Sequence, residues 1–138
     1  MNTFFDSSSF AKRYVEESGS AEVDDICRVT DRLAICSLCV PEIISALNRR
    51  IREKEIRKTD YPTIKGRLLL EVRDIEVVHL TDEVIAVSTL LLEQNVLRAM
   101  DALHVACAHA WRSDLFVTSD NRQWKAAVRL GLKSRLII

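Results

Sequence analysis

The sequence predicts an α/β protein in which a mostly parallel β-sheet lies between two layers of helices. Short apolar runs, typical of buried strands, alternate along the chain with longer segments whose apolar residues recur at helical spacing. Strands that alternate with helices form parallel pairs, and the helices then cover both faces of the sheet. The chain has 138 residues, of which 48% are apolar and 29% charged, and this is enough for one hydrophobic core. Only three Gly and two Pro are present, which leaves little material for long linkers. We therefore expect a single domain over residues 1–138.

The chain begins with a predicted strand, turn and helix. Asn2–Phe5 is a short apolar strand, and Asp6 with the three serines after it supplies residues that favour a helix N-terminus. Apolar side chains then recur at helical spacing over residues 10–15. Residues 17–20 interrupt this helix, and residues 21–29 are predicted to form a second short one.

The middle of the chain repeats the alternation of strand and helix. Residues 33–37 are the second predicted strand, and Pro41 fits the first turn of the helix that follows. That helix ends in the basic run at residues 49–54, as the helix dipole favours. A further helix is predicted over residues 59–73 and a strand rich in β-branched residues over residues 75–80.

The last part of the chain continues the same pattern. Its predicted elements are a helix at residues 81–95, a helix at residues 98–112, a strand at Leu115–Thr118, a helix at residues 124–130 and a closing strand at residues 136–138. Asp120 lies in the turn before the last helix, and Gly131 ends that helix.

Four carboxylates stand at related places in this pattern. Asp6, Glu42 and Asp120 come just after predicted strands, and Asp101 lies near the start of a helix. Each one alone is explained by helix capping or by the helix dipole. In an open parallel sheet, however, such turns converge on one edge, so the four side chains are expected to meet in one acidic site.

A cluster of carboxylates points to a bound cation. Crowded carboxylates raise one another's pKa, so they stay ionised near neutral pH only when a cation neutralises them. Oxygen ligands favour Mg²⁺ or Mn²⁺ over zinc, and such an ion can activate water for attack on a phosphodiester. The arrangement therefore predicts a hydrolase that uses no protein nucleophile.

Two alternatives remain open from the residues. In an aspartyl-phosphate phosphatase, Asp6 would be the nucleophile after the first strand, although such enzymes usually have a second Asp where this chain has Ser8. The other alternative is a catalytically silent module that keeps the fold and binds RNA or protein. The presence of all four acids favours the hydrolase over the silent module.

The charge balance excludes some classes of protein. Twenty basic residues offset twenty acidic ones, so any binding of nucleic acid must come from a local patch. The candidates for phosphate contact are Lys12, Arg13, Arg49, Arg50, Arg98, Arg122 and Lys125.

No segment resembles a signal peptide or reaches the roughly 18 apolar residues of a membrane span. We expect a cytoplasmic protein, with no membrane contact, whose four cysteines are reduced.

Three further side chains have both a structural and a functional interpretation. Cys36 and Cys39 have the C-x-x-C spacing of redox proteins, but their apolar context and the predicted helix start at Pro41 favour two core cysteines. His104 lies on the helix face of Asp101, where it could be a ligand or a proton shuttle. A packing role, or a supporting role beside the acids, is the preferred prediction for His104.

Four motifs, in order and at consistent spacing, are similar to those of the PIN-domain ribonucleases, and more closely to the VapC toxins of bacterial toxin–antitoxin pairs. The motifs are Phe5-Asp6-Ser7-Ser8, Pro41-Glu42 with Ser45-Ala46-Leu47, residues 98–106 around Asp101, and residues 116–120 followed by Gly131-Leu132. The resemblance covers nearly the whole chain. It implies a three-layer α/β/α PIN-like fold, a Mg²⁺ or Mn²⁺ site, endonucleolytic cleavage of RNA, homodimers and inhibition by a VapB-like antitoxin.

The same resemblance implies a role for each site residue. Asp6 and Asp101 would be the principal metal ligands, and Glu42 and Asp120 would complete the acidic site and order the attacking water. Ser8 or Thr118 would assist by hydrogen bonding. Some relatives carry another acid shortly after the last Asp, where this chain has Asn121 and Arg122, so the number of ions, one or two, stays open.

Overall fold

The computed structural model describes residues 1–138 and contains one five-stranded sheet whose strands are all parallel. The strands are β1 Asn2–Phe5, β2 Arg32–Cys36, β3 Glu76–Val78, β4 Leu115–Thr118 and β5 Ser134–Leu136. Their order across the sheet is β3-β2-β1-β4-β5. The predicted mostly parallel sheet is therefore confirmed, and it has no antiparallel edge strand.

Seven helices connect the strands and cover both faces of the sheet. They are α1 Ser7–Phe10, α2 Ser20–Val29, α3 Cys39–Arg52, α4 Tyr61–Val72, α5 Asp82–Gln94, α6 Ala99–Trp111 and α7 Asn121–Leu130, with a 3-10 turn at Ala11–Arg13 after α1. Helices α1 to α4 pack on one face, and α5 to α7 pack on the other. The three-layer α/β/α architecture is confirmed. None of these helices combines the length and the apolar character that crossing a bilayer requires.

Side-chain alternation along the strands gives the protein a separate core on each face of the sheet. Phe4 of β1 packs with Phe116 of β4 among α5, α6 and α7, whereas Phe5 packs with Val117 among α1 to α4. Successive residues of a strand point to opposite faces, so each strand contributes to both cores. Strand β1 is central, is paired on both sides and has its last three residues buried, so the position of the next residue, Asp6, is fixed by the sheet.

Several predicted boundaries were wrong for identifiable reasons. Helix α3 begins at Cys39, two residues before Pro41, because a proline is tolerated within the first turn, where its missing N–H has no helical partner. The first helix is shorter than predicted, since the carbonyl of Ala11 accepts from both Tyr14 N (3.0 Å) and Val15 N (3.1 Å) and the turn tightens. The closing strand is β5, which starts before the predicted residues 136–138 because backbone pairing with β4 sets its register.

The strand order places a topological switch point between β1 and β4. The chain runs from β1 to β2 and β3 on one side of the sheet, then returns across it to β4 and β5 on the other side. The connections after β1 and β4 therefore leave in opposite directions and open a crevice at the carboxyl ends of these strands. In open α/β sheets, this is where ligands bind.

Gly19 is a residue whose backbone conformation the fold requires. It precedes α2 with φ at +91°, and a Cβ atom there would run into the side chain of Ile137. We expect Gly19→Ala to lower the free energy of unfolding by about 1–3 kcal/mol, as measured by urea denaturation. Gly66, within α4, has open space around it, so Gly66→Ala should stabilise by up to about 1 kcal/mol. Equal effects of the two changes would contradict the strain assigned to Gly19.

Candidate active site

A cleft of about 730 Å³ lies at the carboxyl edge of the sheet and is lined by all four predicted acids. Asp6 follows β1, Glu42 lies in the first turn of α3, Asp101 in the first turn of α6, and Asp120 caps α7. Residues up to 114 positions apart thus share one cavity, as the convergence of strand ends predicts. Their chemical roles remain predictions.

Asp6 is the most buried of the four acids, with 3% of its surface exposed. Its Oδ1 accepts from Ser9 N (3.0 Å) and Ser9 Oγ (2.7 Å), and its Oδ2 accepts from Ser8 Oγ (2.6 Å) and Thr118 Oγ1 (2.9 Å). These neutral donors fix the orientation of the carboxylate without neutralising its charge. Where an aspartyl-phosphate phosphatase usually has its second Asp, this chain has Ser8, whose hydroxyl donates to Asp6.

Ser8 and Thr118 also connect the turns after β1 and β4. Ser8 Oγ accepts from Ser119 N (3.0 Å), and Thr118 Oγ1 accepts from Asp120 N (2.9 Å). Each hydroxyl therefore lies between Asp6 and the turn that carries Asp120. The two residues that the resemblance assigns to hydrogen bonding both contact Asp6.

Asp120 and Asp101 form the open, acidic side of the cleft. Asp120 accepts from Arg122 N (2.8 Å) and Gln123 N (3.1 Å) through Oδ1 alone. Burial raises the pKa of Asp101 above its ordinary value, and the negative charges of Asp120 and Asp6 raise it further against the opposing charge of Arg98. The Arg98 guanidinium lies 3.5 Å from Asp101, but its side chain is 84% exposed, so this pair offsets little of the repulsion.

Glu42 is paired inside the protein, unlike the other three acids. Its Oε1 contacts Nε2 of His104, which is 1% exposed, and accepts from Ser7 Oγ (2.8 Å). Burial alone would lower the pKa of His104, but the hydrogen bond with Glu42 and the charge of Asp6 hold it above the ordinary value. Burial alone would raise the pKa of Glu42, but the bond and charge of His104 hold it below the ordinary value. His104 therefore supports Glu42, a contact that its spacing from Asp101 did not reveal.

Comparisons with known proteins agree with this geometry. A sequence profile of the PIN domain matches residues 3–129. The chain belongs to the PIN domain family. The resemblance on which the sequence interpretation rested is thereby confirmed at the level of the family. No curated protein sequence is similar enough to count as a match.

Solved structures of the same fold include toxins of toxin–antitoxin pairs. VapBC2 from Rickettsia felis, bound to a promoter DNA fragment, superposes with a TM-score of 0.67 at 14% identity over 100% of both chains. The sarcin–ricin loop cleaving toxin VapC20 from Mycobacterium tuberculosis gives 0.68 at 16% identity, covering 90% of this chain and 94% of that one. VapBC-1 from nontypeable Haemophilus influenzae gives 0.67 at 10% identity, covering 99% and 98%. Identities this low show a shared fold alone.

The donor set of this PIN domain suits a hard divalent cation, but the ligands are not preassembled. No three His, Cys, Asp or Glu side chains stand close enough together to enclose an ion. The carboxylates nevertheless share one cleft, offer oxygen atoms, and repel one another at Asp101. Asp6, Asp101 and Asp120 would hold a divalent cation, whose charge would offset that repulsion. The residues present therefore fit the ion in chemistry and location.

The two cysteines with C-x-x-C spacing are core residues, as expected. Cys36 and Cys39 are fully buried, on different sides of the sheet. The nearest thiol to Cys36 is Cys107 of α6, at 3.6 Å between the sulfur atoms, a contact that the C-x-x-C spacing gave no sign of. The hydrogen bond from Cys107 lowers the pKa of Cys36 below its ordinary value.

The seven basic residues that the sequence predicts as phosphate contacts divide into two groups. Ion pairs hold Lys12 to Glu17, Arg13 to Glu71 and Asp24, Arg50 to Glu17 and Glu55, and Arg98 to Asp101. Arg49, Arg122 and Lys125 form no ion pair, and all three are exposed. Three of the seven predicted phosphate contacts therefore keep an uncompensated charge.

The Glu42–His104 pair predicts a pH-dependent contribution to stability. Folding raises the pKa of His104, so its contribution is present below the ordinary value of 6.5 and is lost as pH rises through the raised value. Folding lowers the pKa of Glu42, so that contribution is present above 4.5 and is lost at lower pH. In metal-free protein, His104→Gln should therefore lower the free energy of unfolding by about 1–2 kcal/mol between pH 4.5 and pH 6.5, and by less at pH 9. The expected loss is modest because Glu42 is partly exposed to solvent.

Urea denaturation over a range of pH values in EDTA measures this difference. His109→Gln is the matched control, because His109 lies on the same helix, is exposed and forms no ion pair. A penalty for His104→Gln that is constant across the pH range would contradict a charged pair and indicate packing alone.

Proposed function

We propose that this PIN domain is a divalent-metal-dependent endoribonuclease that hydrolyses RNA phosphodiester bonds as the toxin of a toxin–antitoxin pair in the cytoplasm. The observation that carries the proposal is the meeting of Asp6, Glu42, Asp101 and Asp120 in one cleft at the switch point of the sheet. Asp6, Asp101 and Asp120 have no buried basic side chain that would neutralise them, since the only ion pair among them is with the exposed Arg98. Membership of the PIN family supports nuclease chemistry at this cleft.

In this proposal, Asp6 and Asp101 are the principal ligands of Mg²⁺ or Mn²⁺, and Asp120 and Glu42 complete the site. Asp6 is held in one orientation by Ser8, Ser9 and Thr118, so little rearrangement is needed at that ligand. When bound, the cation supplies a Lewis acid that activates water and offsets the charge on a phosphate.

The other side chains orient water and substrate. Glu42 stays ionised because His104 and Ser7 stabilise its charge, so it can accept a hydrogen bond from the attacking water. Asp120 lines the same cleft, and its Oδ2 forms no hydrogen bond within the protein. Arg49 lines the cleft without an ion pair and is placed to contact a phosphate.

The proposal extends to two kinds of partner. The solved relatives include VapBC complexes from Rickettsia felis and Haemophilus influenzae, which supports a VapB-like antitoxin as inhibitor of this chain. We also propose a homodimer, as the resemblance to the VapC toxins implies. Exposed apolar side chains offer surface for such contacts: Leu69 and Leu70 on α4, and Ile85, Leu90 and Leu92 on α5. Light scattering of the purified protein, with and without a co-expressed antitoxin, measures both assemblies.

Asp101→Asn tests the nuclease more cleanly than a change at Asp6, because the Asp101 side chain accepts only one long hydrogen bond, from Gln123 Nε2 at 3.5 Å. We expect purified protein to cleave RNA with Mg²⁺ or Mn²⁺ and not with EDTA. The variant should lose more than about 100-fold in rate, since even residues that only support metal ligands contribute 10–100-fold. Without metal, the variant should melt at the same or a higher temperature, because charge repulsion is removed.

Asp74→Asn is the control for that experiment, because Asp74 is exposed and forms no ion pair. It should keep both cleavage and the rise in melting temperature that Mn²⁺ produces in the unchanged protein. RNA binding without any cleavage in Mn²⁺, in protein free of antitoxin, would contradict the nuclease and favour the silent binding module.

A further inference from the structure

A second groove, of about 490 Å³, lies along α7, the helix whose first turn also borders the acidic cleft. Its walls are the end of α5 with the turn after it and the outer face of α7. They include Glu93, Gln94, Asn95, Arg122, Lys125 and Arg129. Asp120 and Gln123 line the cleft and Arg122 lines the groove, so residues at the start of α7 contribute to both.

The groove carries a net positive charge, with three basic side chains and one carboxylate among its walls. Arg122, Lys125 and Arg129 lie three and four positions apart, so they share one face of α7, and all three are exposed. None of them forms an ion pair, and the only acid in the wall, Glu93, forms none either. Arg129 Nη1 donates to Gln94 O (2.8 Å) and Asn95 Oδ1 (3.1 Å), which are neutral acceptors. These bonds fix the guanidinium of Arg129 and leave its charge available.

The groove has the wrong character for an apolar ligand. Val96, which is 78% exposed, is the only hydrophobic residue among the seven that line it. A polar groove that presents two guanidinium groups and an ammonium group suits an anionic chain with oxygen acceptors. From Arg122 to Arg129 the helix rises by about 10 Å, which is room for roughly two or three nucleotides of a strand.

We propose that this groove on α7 binds the phosphate backbone of the RNA substrate on one side of the bond to be cleaved. The inference rests on the proposed nuclease and adds a binding subsite outside the acidic cleft. A strand whose reacting phosphate sits among the four acids continues past Asp120 directly onto Arg122 and Lys125. Such contacts position the strand without reading its sequence, so they should act on long RNA irrespective of base order.

The test uses RNA binding in EDTA, which does not depend on cleavage. Arg122→Gln with Lys125→Gln should weaken binding of a labelled single-stranded RNA of about 12 nucleotides by five- to tenfold at moderate salt. The slope of log affinity against log salt concentration should fall by about 1.4, as two lost phosphate contacts predict. Arg52→Gln with Lys58→Gln is the control, since both residues are exposed, form no ion pair and lie outside the groove.

Cleavage in Mn²⁺ separates this inference from the proposed nuclease. The double variant should cleave the 12-nucleotide RNA with kcat/KM lowered five- to tenfold and a dinucleotide at the unchanged rate, because a dinucleotide does not reach the groove. An unchanged salt slope, or equal losses in the control pair, would overturn the groove while leaving the nuclease intact. The proposal would also be overturned if the double variant kept RNA binding but lost binding to polyglutamate. That result would indicate that the groove binds an acidic protein partner.

Discussion

The buried carboxylate of Asp6, at the end of the central strand β1, is the constraint on which the rest of the site depends. A charge that is 3% exposed is costly unless polar groups surround it, and the protein supplies hydroxyl and amide donors from α1 and β4. Its own N–H also donates to Val117 O at 3.1 Å, which joins the turn to the neighbouring strand. The turns after β1 and β4 are thereby held together, and the cleft takes its shape from them.

Around Asp6 the cleft has two unlike sides. On one side, the negative charge of Glu42 is offset by His104 within the protein. On the other side, Asp101 and Asp120 repel each other, and the exposed Arg98 compensates only weakly. The unbalanced negative charge therefore lies between Asp6 and the start of α6. The contact with His104 offsets the charge of Glu42, while Glu42 still lines the cleft.

A net charge of zero conceals this segregation of charge. Acids gather in the cleft, while α7 presents Arg122 and Lys125 beside it with no carboxylate partner. An anionic substrate would meet repulsion at the acids until a cation is present and attraction along α7. Composition alone could not show this, since the sum of charges contains no information on where they lie.

The sequence by itself determined the alternation of strands and helices, and it placed Asp6, Glu42 and Asp120 at the starts of helices that follow strands. Both results follow because periodicity and capping are properties of neighbouring residues. It also predicted that the acids converge, since parallel strands share a carboxyl edge. The contact between His104 and Glu42, 62 residues apart, and the approach of Cys107 to Cys36 came only from the folded chain. Such contacts depend on how α6 packs against the sheet and α3, and packing is set by the shapes of many side chains at once rather than by any local signal.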